Sequence, residues 1–344
     1  MRAMLLDQPA SATPAGPWRP LELRGIPAPV LGDGELMVRV DVCGVCRTDL
    51  DLAEGRLIAP HYPLVPGHQV VGHVVKVGRR VMNFREGDRV GIAWINSADG
   101  VCEFCRAGNE NLCPNFRSTG RDVNGGYAEF LTVPAAFAYE IPSSMPDVET
   151  APLLCAGAIG WRSLSLTNLP EGTPLGLTGF GASAHLVLQF ALHRFPRSPV
   201  FVFARKPIER EFAVSLGAAW AGDTCDAPPE KLGAAIDTTP AWTPVLCALE
   251  AMRPGGRIVI NAIRKDDRFK QQLLALDYGK QLWMEREIKS AANVTRRDVR
   301  ECLAAAAEWG IRPTARELPL ESANEALDAM RLGTVGRGAL VLRV

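Results

Sequence analysis

The sequence predicts an α/β protein of two domains, one β-rich and one built on a doubly wound parallel sheet. Three observations predict it. The chain has 344 residues, too many for one ordinary hydrophobic core. Its apolar pattern changes near residue 156, from short strands broken by Gly and Pro to strands that alternate with helices. A glycine-rich turn, Gly179-Phe-Gly-Ala-Ser-Ala184, stands between an apolar run and a helix-like run.

The first part reads as irregular β structure. Glu35–Val42 and Val70–Val77 are short apolar or alternating runs, and Phe84–Ile92 holds a tight turn leading into a strand. Runs of this length bounded by turn residues suggest strands. From Leu175–Thr178 the rhythm is strand, turn, helix (Ala184–Leu192), strand (Val200–Phe203) and helix (Ile208–Leu216). Ala234–Ile236 and Arg257–Ile260 continue the same alternation. That order argues for a parallel sheet covered on both faces. Asp226–Glu230 is expected as a surface loop, Arg297–Trp309 as a helix and Gly338–Val344 as a closing strand. The domains expected are 1–155 with 294–344, and 156–293.

Composition excludes some functions. Apolar residues make up 47% of the chain, and 38 basic residues balance 38 acidic ones. Without a basic run or excess there is no electrostatic footprint for nucleic acid or an anionic membrane. No stretch approaches the roughly 20 apolar residues of a membrane span. The start, MRAMLLDQPA, lacks the apolar core of a secretory signal, so a cytoplasmic location is expected. Of nine cysteines, Cys43, Cys46, Cys102, Cys105, Cys113 and Cys155 lie in the first half, while Cys225, Cys247 and Cys302 are scattered. In a reducing compartment, clustered cysteines point to metal rather than disulfides.

Three segments carry the chemistry: Cys43-Gly-Val-Cys-Arg-Thr-Asp49, Val65-Pro-Gly-His-Gln69 and Pro152-Leu-Leu-Cys-Ala-Gly157. Each alone is weak, since a lone His or Cys is more often a packed residue. Together, in order and spacing, they resemble the zinc-dependent medium-chain alcohol dehydrogenases, the bacterial members above all, over essentially the whole chain. The resemblance implies a GroES-like catalytic domain and a Rossmann domain. It implies Cys46, His68 and Cys155 as the ligands of a catalytic zinc, with Cys43 packed. Two thiolates and an imidazole leave the fourth tetrahedral position open to substrate. Bound Zn²⁺ lowers the pKa of a coordinated oxygen, to about 7 for water, and hydride then passes between the alcohol carbon and a nicotinamide.

The same resemblance makes Thr48 the first group of a proton relay and Asp49 the carboxylate that orients the ligand histidine. It sets Arg47 against the cofactor pyrophosphate and Trp94, closing a strand from Val90, in the substrate pocket. The plainer alternatives are an exposed turn threonine and a core tryptophan. Two positions depart from the family. Gln69 stands where Glu is usual, and Asp51 stands where many members end the relay with His. An ordinary carboxyl group titrates near about 4, a poor match to neutral pH, so an altered pH dependence is expected.

A second cluster, Cys102-x2-Cys105-x7-Cys113, lies in a hydrophilic loop. Relatives with a structural zinc carry four cysteines there; here the first position is Asp99, and zinc accepts carboxylate oxygen. The alternative is an unloaded loop with three free thiols.

Gly179-x-Gly181-x-x-Ala184 follows a strand and opens a helix, the setting in which this motif binds a dinucleotide. Gly179 allows the turn, Gly181 admits the pyrophosphate, and Ala184 is small enough for helix–strand packing. The helix N-terminus supplies unpaired N–H groups. Beyond Phe203 come Ala204-Arg205-Lys206, with no acid for a ribose 2′-hydroxyl. Arg205 and Lys206 suit a 2′-phosphate, so NADP(H) is preferred over NAD(H); the alternative is a solvated turn.

Other readings stay open: a zinc-free quinone or enone reductase of the same superfamily, or a non-catalytic protein on this fold. The Cys/His/Cys trio argues against the first. The intact ligands, Thr48 and the glycine turn argue against the second. His61, His73, His185 and His193 receive no role. A homodimer or homotetramer follows from the resemblance alone.

Overall fold

The computed structural model describes residues 1–10 and 18–344. The chain divides into two compact units. The first holds Met1–Cys155, Val294–Ala307 and Arg312–Val344, and the second holds Ala156–Asn293 with Glu308–Ile311.

The first unit is β-rich. Its seven-stranded sheet runs Ala315–Pro319, Ala339–Arg343, Glu35–Val45, Val70–Val77, Arg89–Ile92 and Ala138–Glu140, with Phe130–Pro134 also paired to Glu35–Val45. The long strand Glu35–Val45 is central because Leu36, Val38, Val40 and Val42 are all buried, as a strand flanked by partners requires. It runs antiparallel to Val70–Val77, with Cys43 opposite Val70. Gly44 N–H donates to the Gln69 carbonyl at 2.9 Å. The register therefore brings the end of one strand, where Cys46 begins, beside the start of the next, where His68 ends. The last strand is Ala339–Arg343, and the helix expected near the end is Arg296–Trp309, with a further helix, Ala323–Leu332, between them. The strand Arg89–Ile92 stops before Trp94, so Trp94 does not close a strand as expected. It sits in the two-residue link to Ile95–Ser97.

The second unit is a six-stranded sheet in the order Trp220–Gly222, Val200–Phe203, Leu175–Thr178, Leu232–Asp237, Met252–Ile260 and Glu287–Ser290. All neighbours are parallel. Leu175–Thr178 and Val200–Phe203 are buried at every position, the continuous apolar signature of a strand covered on both faces. Helices Ala184–Arg194, Pro207–Ser215 and Thr243–Ala251 connect them. Trp220–Gly222 is too short, and Glu287–Ser290 too exposed, to stand out in sequence. Cys225 and Cys247, scattered in the chain, form a disulfide that ties the loop after Trp220–Gly222 to the helix Thr243–Ala251. Among the described residues no helix is long and apolar enough to cross a membrane.

Candidate functional site

The site is built at the end of the central strand of the first unit. Cys46 caps the helix Arg47–Ala53 in an extended conformation, and its N–H donates to Asp49 Oδ2 at 2.8 Å. Asp49 is completely buried and works in several directions at once. Its Oδ1 accepts the Gly67 N–H at 3.2 Å, and Tyr127 Oη donates to Oδ2 at 3.2 Å. Asp49 Oδ1 also stands 3.2 Å from His68 Nδ1. One carboxylate thus tethers the segment carrying Cys46 to the segment carrying His68.

The second segment needs its glycine. Gly67 has φ of 97°, and a Cβ there would lie 2.4 Å from the Tyr127 ring and 2.8 Å from Cys43 Sγ. Only glycine fits both the backbone conformation and the space. Cys43 itself is buried against this turn, and burial pushes its thiol well above the ordinary range.

Cys46, His68 and Cys155 place one ligand atom each within 4.8 Å of one another. The two sulfurs are 3.9 Å apart, close to the ~3.8 Å edge of a tetrahedron with Zn–S bonds of about 2.3 Å. His68 is fully buried, and neither ring nitrogen has a well-aligned hydrogen-bond partner. Asp49 faces Nδ1, which leaves Nε2 as a buried nitrogen without a well-aligned partner. A buried polar atom without a partner is costly, and a metal ion would satisfy it. The donor set therefore fits zinc.

Charge is tuned around these atoms. Burial by itself would lower the His68 pKa, but the Asp49 carboxylate and Cys46 outweigh it and raise it to about 10. The Cys46 thiol is held well below its ordinary range, by hydrogen bonding with Cys155 and the charge of His68, against the cost of burial. Cys155 is correspondingly raised, by its contact with Cys46 and by burial. The Trp94 ring stands edge-on to His68 at 4.8 Å and 82°.

Thr48 is not in an exposed turn. It lies in the helix, 7% exposed, with its Oγ1 3.7 Å from Cys46 Sγ. Asp51 is buried and its Oδ1 accepts from Arg56 Nε at 2.7 Å and Nη2 at 2.6 Å. Arg47, half exposed, stands 3.9 Å from the same oxygen. Gln69 is buried with its side chain packed over Gly44; a neutral amide there carries no charge into the interior.

The second cluster gathers Asp99, Cys102, Cys105 and Cys113 within the same 4.8 Å limit. Asp99 Oδ1 accepts the N–H groups of Val101 and Cys102 at 2.9 and 3.0 Å, and Oδ2 accepts from Asn115 at 3.0 Å. These bonds hold its carboxyl well below the usual range. Cys102 Sγ accepts the Cys105 N–H at 3.5 Å, and Cys113 Sγ accepts those of Asp99 and Asn115 at 3.4 and 3.3 Å. Burial and Cys102 push the Cys105 thiol up to about 12 without a metal.

In the second unit Gly179 has φ of 77°, and a Cβ there would meet Thr238 and Thr239 at 2.9 Å. A Cβ at Gly181 would meet nothing within 4 Å, so the backbone is open on that side. Ala184 is fully buried at the start of its helix.

The match to known proteins follows this geometry. The alcohol dehydrogenase GroES-like domain covers residues 32–143. The chain is 46% identical over 94% of its length, and 93% of the relative's, to a probable alcohol dehydrogenase, AdhA, of Mycobacterium tuberculosis. It is 33% identical to an alcohol dehydrogenase of Geobacillus stearothermophilus, over 94% of this chain and 96% of that one. A cinnamyl alcohol dehydrogenase structure from Sorghum bicolor superimposes with a TM-score of 0.83 at 26% identity, covering 99% and 97% of the two chains. The chain belongs to the zinc-dependent medium-chain alcohol dehydrogenase family.

As a member of that family this alcohol dehydrogenase is an oxidoreductase, moving hydride between an alcohol, or its aldehyde or ketone, and a nicotinamide dinucleotide. Its Arg205 and Lys206 are exposed just beyond the strand Val200–Phe203. Sequence reasoning missed Tyr127 and Arg56. Tyr127 lies 78 positions from the Asp49 it bonds, and no local pattern announces such a contact. His185 and His73, left without a role, are respectively buried beside the Gly181 carbonyl at 3.3 Å and paired with Asp41 at 2.5 Å.

Proposed function

We propose that Cys46, His68 and Cys155 hold a catalytic zinc, that Asp99, Cys102, Cys105 and Cys113 hold a structural one, and that NADP(H) is the preferred cofactor. The observation that carries the first is the convergence of two sulfurs and a partnerless, buried imidazole nitrogen. When bound, zinc draws electron density from the substrate oxygen, which acidifies an alcohol or activates a carbonyl toward hydride.

The chain's own residues do the rest. Asp49 holds the His68 ring by its Nδ1 and so presents Nε2 as the ligand. Thr48, beside Cys46, receives the alcohol proton at its hydroxyl. The bound substrate packs along Trp94, whose ring stands edge-on to His68. Asp51 is the next acceptor along the helix, and there the proton competes with Arg56 for Oδ1. In the second unit Gly179, Gly181 and Ala184 shape the turn that takes the pyrophosphate. Arg205 and Lys206 offer cations for a 2′-phosphate where no carboxylate repels it.

A homodimer fits the far edge of the parallel sheet. Glu287–Ser290, with Ile288 in it, is exposed along its whole length and follows exposed Tyr278, Trp283 and Met284 in the chain. A free edge strand flanked by apolar residues is a template for pairing, and a second copy of this chain is the partner we assign.

Metal analysis and steady-state kinetics test the reading together. Two zinc ions per chain are expected, and oxidation of NADPH by a panel of aldehydes with kcat/KM above that for NADH. One zinc per chain removes the Asp99 site. Absence of zinc, or of any dinucleotide oxidation, overturns the catalytic reading, and equal or better kcat/KM with NADH overturns the cofactor preference.

A further inference from the structure

At the carboxyl ends of the two central strands of the parallel sheet lies a charged pair that the chemistry above does not use. Thr178 and Asp237 are the last residues of Leu175–Thr178 and Leu232–Asp237, and they stand opposite one another in register. The strand order reverses at this place, which is where open α/β sheets bind their ligands. Asp237 is completely buried, and its ion-pair partner Lys265 has a side chain only 10% exposed. Thr178 Oγ1 and Thr239 Oγ1 donate to Asp237 Oδ1 at 2.6 and 2.8 Å, while Lys265 Nζ pairs with Oδ2. Lys265 Nζ also donates to the carbonyls of Thr239 and Ala241 at 3.0 and 2.9 Å and lies over the Trp242 ring.

Burying two charges is a poor route to stability, because desolvation offsets most of their attraction. What this pair does instead is set the backbone of 238–241. That segment is the wall of the glycine turn: the missing Cβ of Gly179 faces Thr238 Oγ1 and Thr239 Cγ2 at 2.9 Å. The Thr238 N–H and hydroxyl both donate to the Thr178 carbonyl at 3.0 Å. Lys265 has an electrostatic task as well. A lone buried carboxylate beside this turn would repel an anionic cofactor held there, and Lys265 cancels that charge.

We infer that the Asp237–Lys265 pair is a positioning element of the dinucleotide site: Lys265 clamps the wall of the Gly179 turn and neutralises the buried Asp237 carboxylate beside it. This inference rests on the proposed dinucleotide role of that turn. The test is equilibrium binding of NADPH and NADH, followed by nicotinamide fluorescence, to the zinc-loaded parent and four variants. Lys265→Met, which leaves Asp237 buried and unpaired, is expected to weaken binding of both cofactors about tenfold or more, with zinc content unchanged. Lys265→Arg keeps the charge and is expected to restore most of the affinity. Asp237→Asn combined with Lys265→Met removes both charges and is expected to bind more tightly than Lys265→Met alone. Thr239→Val, a milder change that keeps the ion pair, is expected to weaken binding about threefold and serves if Lys265→Met does not fold. Cofactor affinity in Lys265→Met or Thr239→Val equal to the parent's overturns the inference, as does a double variant no better than the single one. A parent that binds neither cofactor overturns the dinucleotide reading instead, so the two failures are distinct.

Discussion

The Asp49 carboxylate stands 3.2 Å from His68 Nδ1, with both side chains fully buried. The same carboxylate caps the helix that begins after Cys46 and accepts the N–H of Gly67. Orientation of the imidazole and placement of two ligand segments therefore depend on one residue.

Asp49→Asn keeps the size and one carbonyl acceptor but removes the charge that holds the ring. Zinc affinity is expected to fall about 10–100-fold, the usual cost of losing such a partner. Chelator competition measures it, and affinity unchanged within twofold would exclude an orienting role.

His68 gives the metal-free protein a definite pH response. Burial opposes its charged form, but Asp49 and Cys46 raise its pKa from the ordinary 6.5 to about 10. The folded state thus favours the protonated ring. The resulting stabilisation of the zinc-free protein is complete below about 6.5 and is lost as pH rises through about 10. Zinc affinity moves the other way over that window, because the ion must displace the proton. Urea unfolding of zinc-free protein and zinc titration at several pH values check both signs. A zinc affinity flat between pH 7 and 9 contradicts the assignment.

Asp51 carries Arg56 on its Oδ1, where many relatives end the proton relay with histidine. Asp51→His is expected to release Arg56 and to shift the pH dependence of kcat toward neutral pH. Profiles of parent and variant that superimpose would show that the proton does not pass this residue.

Cys225 and Cys247 close a loop with 22 residues of sequence separation. Cys225→Ser is expected to destabilise the oxidised protein by up to about 3 kcal/mol, with the cysteines of the metal sites untouched. Denaturant midpoints with and without reductant give the answer; identical midpoints for variant and oxidised parent mean that the loop gains nothing from the bond.

Much of the protein was legible in its sequence for physical reasons. Strands such as Val200–Phe203 and Val70–Val77 announce themselves because burial demands runs of apolar residues. The glycine turn is visible because few residues tolerate its backbone. The three ligand segments are readable because metal chemistry restricts residue type and spacing. Trp94 was misplaced by the strand pattern, since the turn between Arg89–Ile92 and Ile95–Ser97 has no Gly or Pro to mark it.

Residue types and their order along the chain determined which side chains are available as ligands, where the dinucleotide turn lies, and that two kinds of sheet are present. The tertiary structure alone decided which distant groups meet: Tyr127 on Asp49, Arg56 on Asp51, Lys265 on Asp237, and Cys225 on Cys247. Such pairings depend on sheet register and on which loops stack over one another, and neither leaves a periodic trace in the chain. They are also the contacts that set charge and orientation, and so they govern how the visible ligands behave.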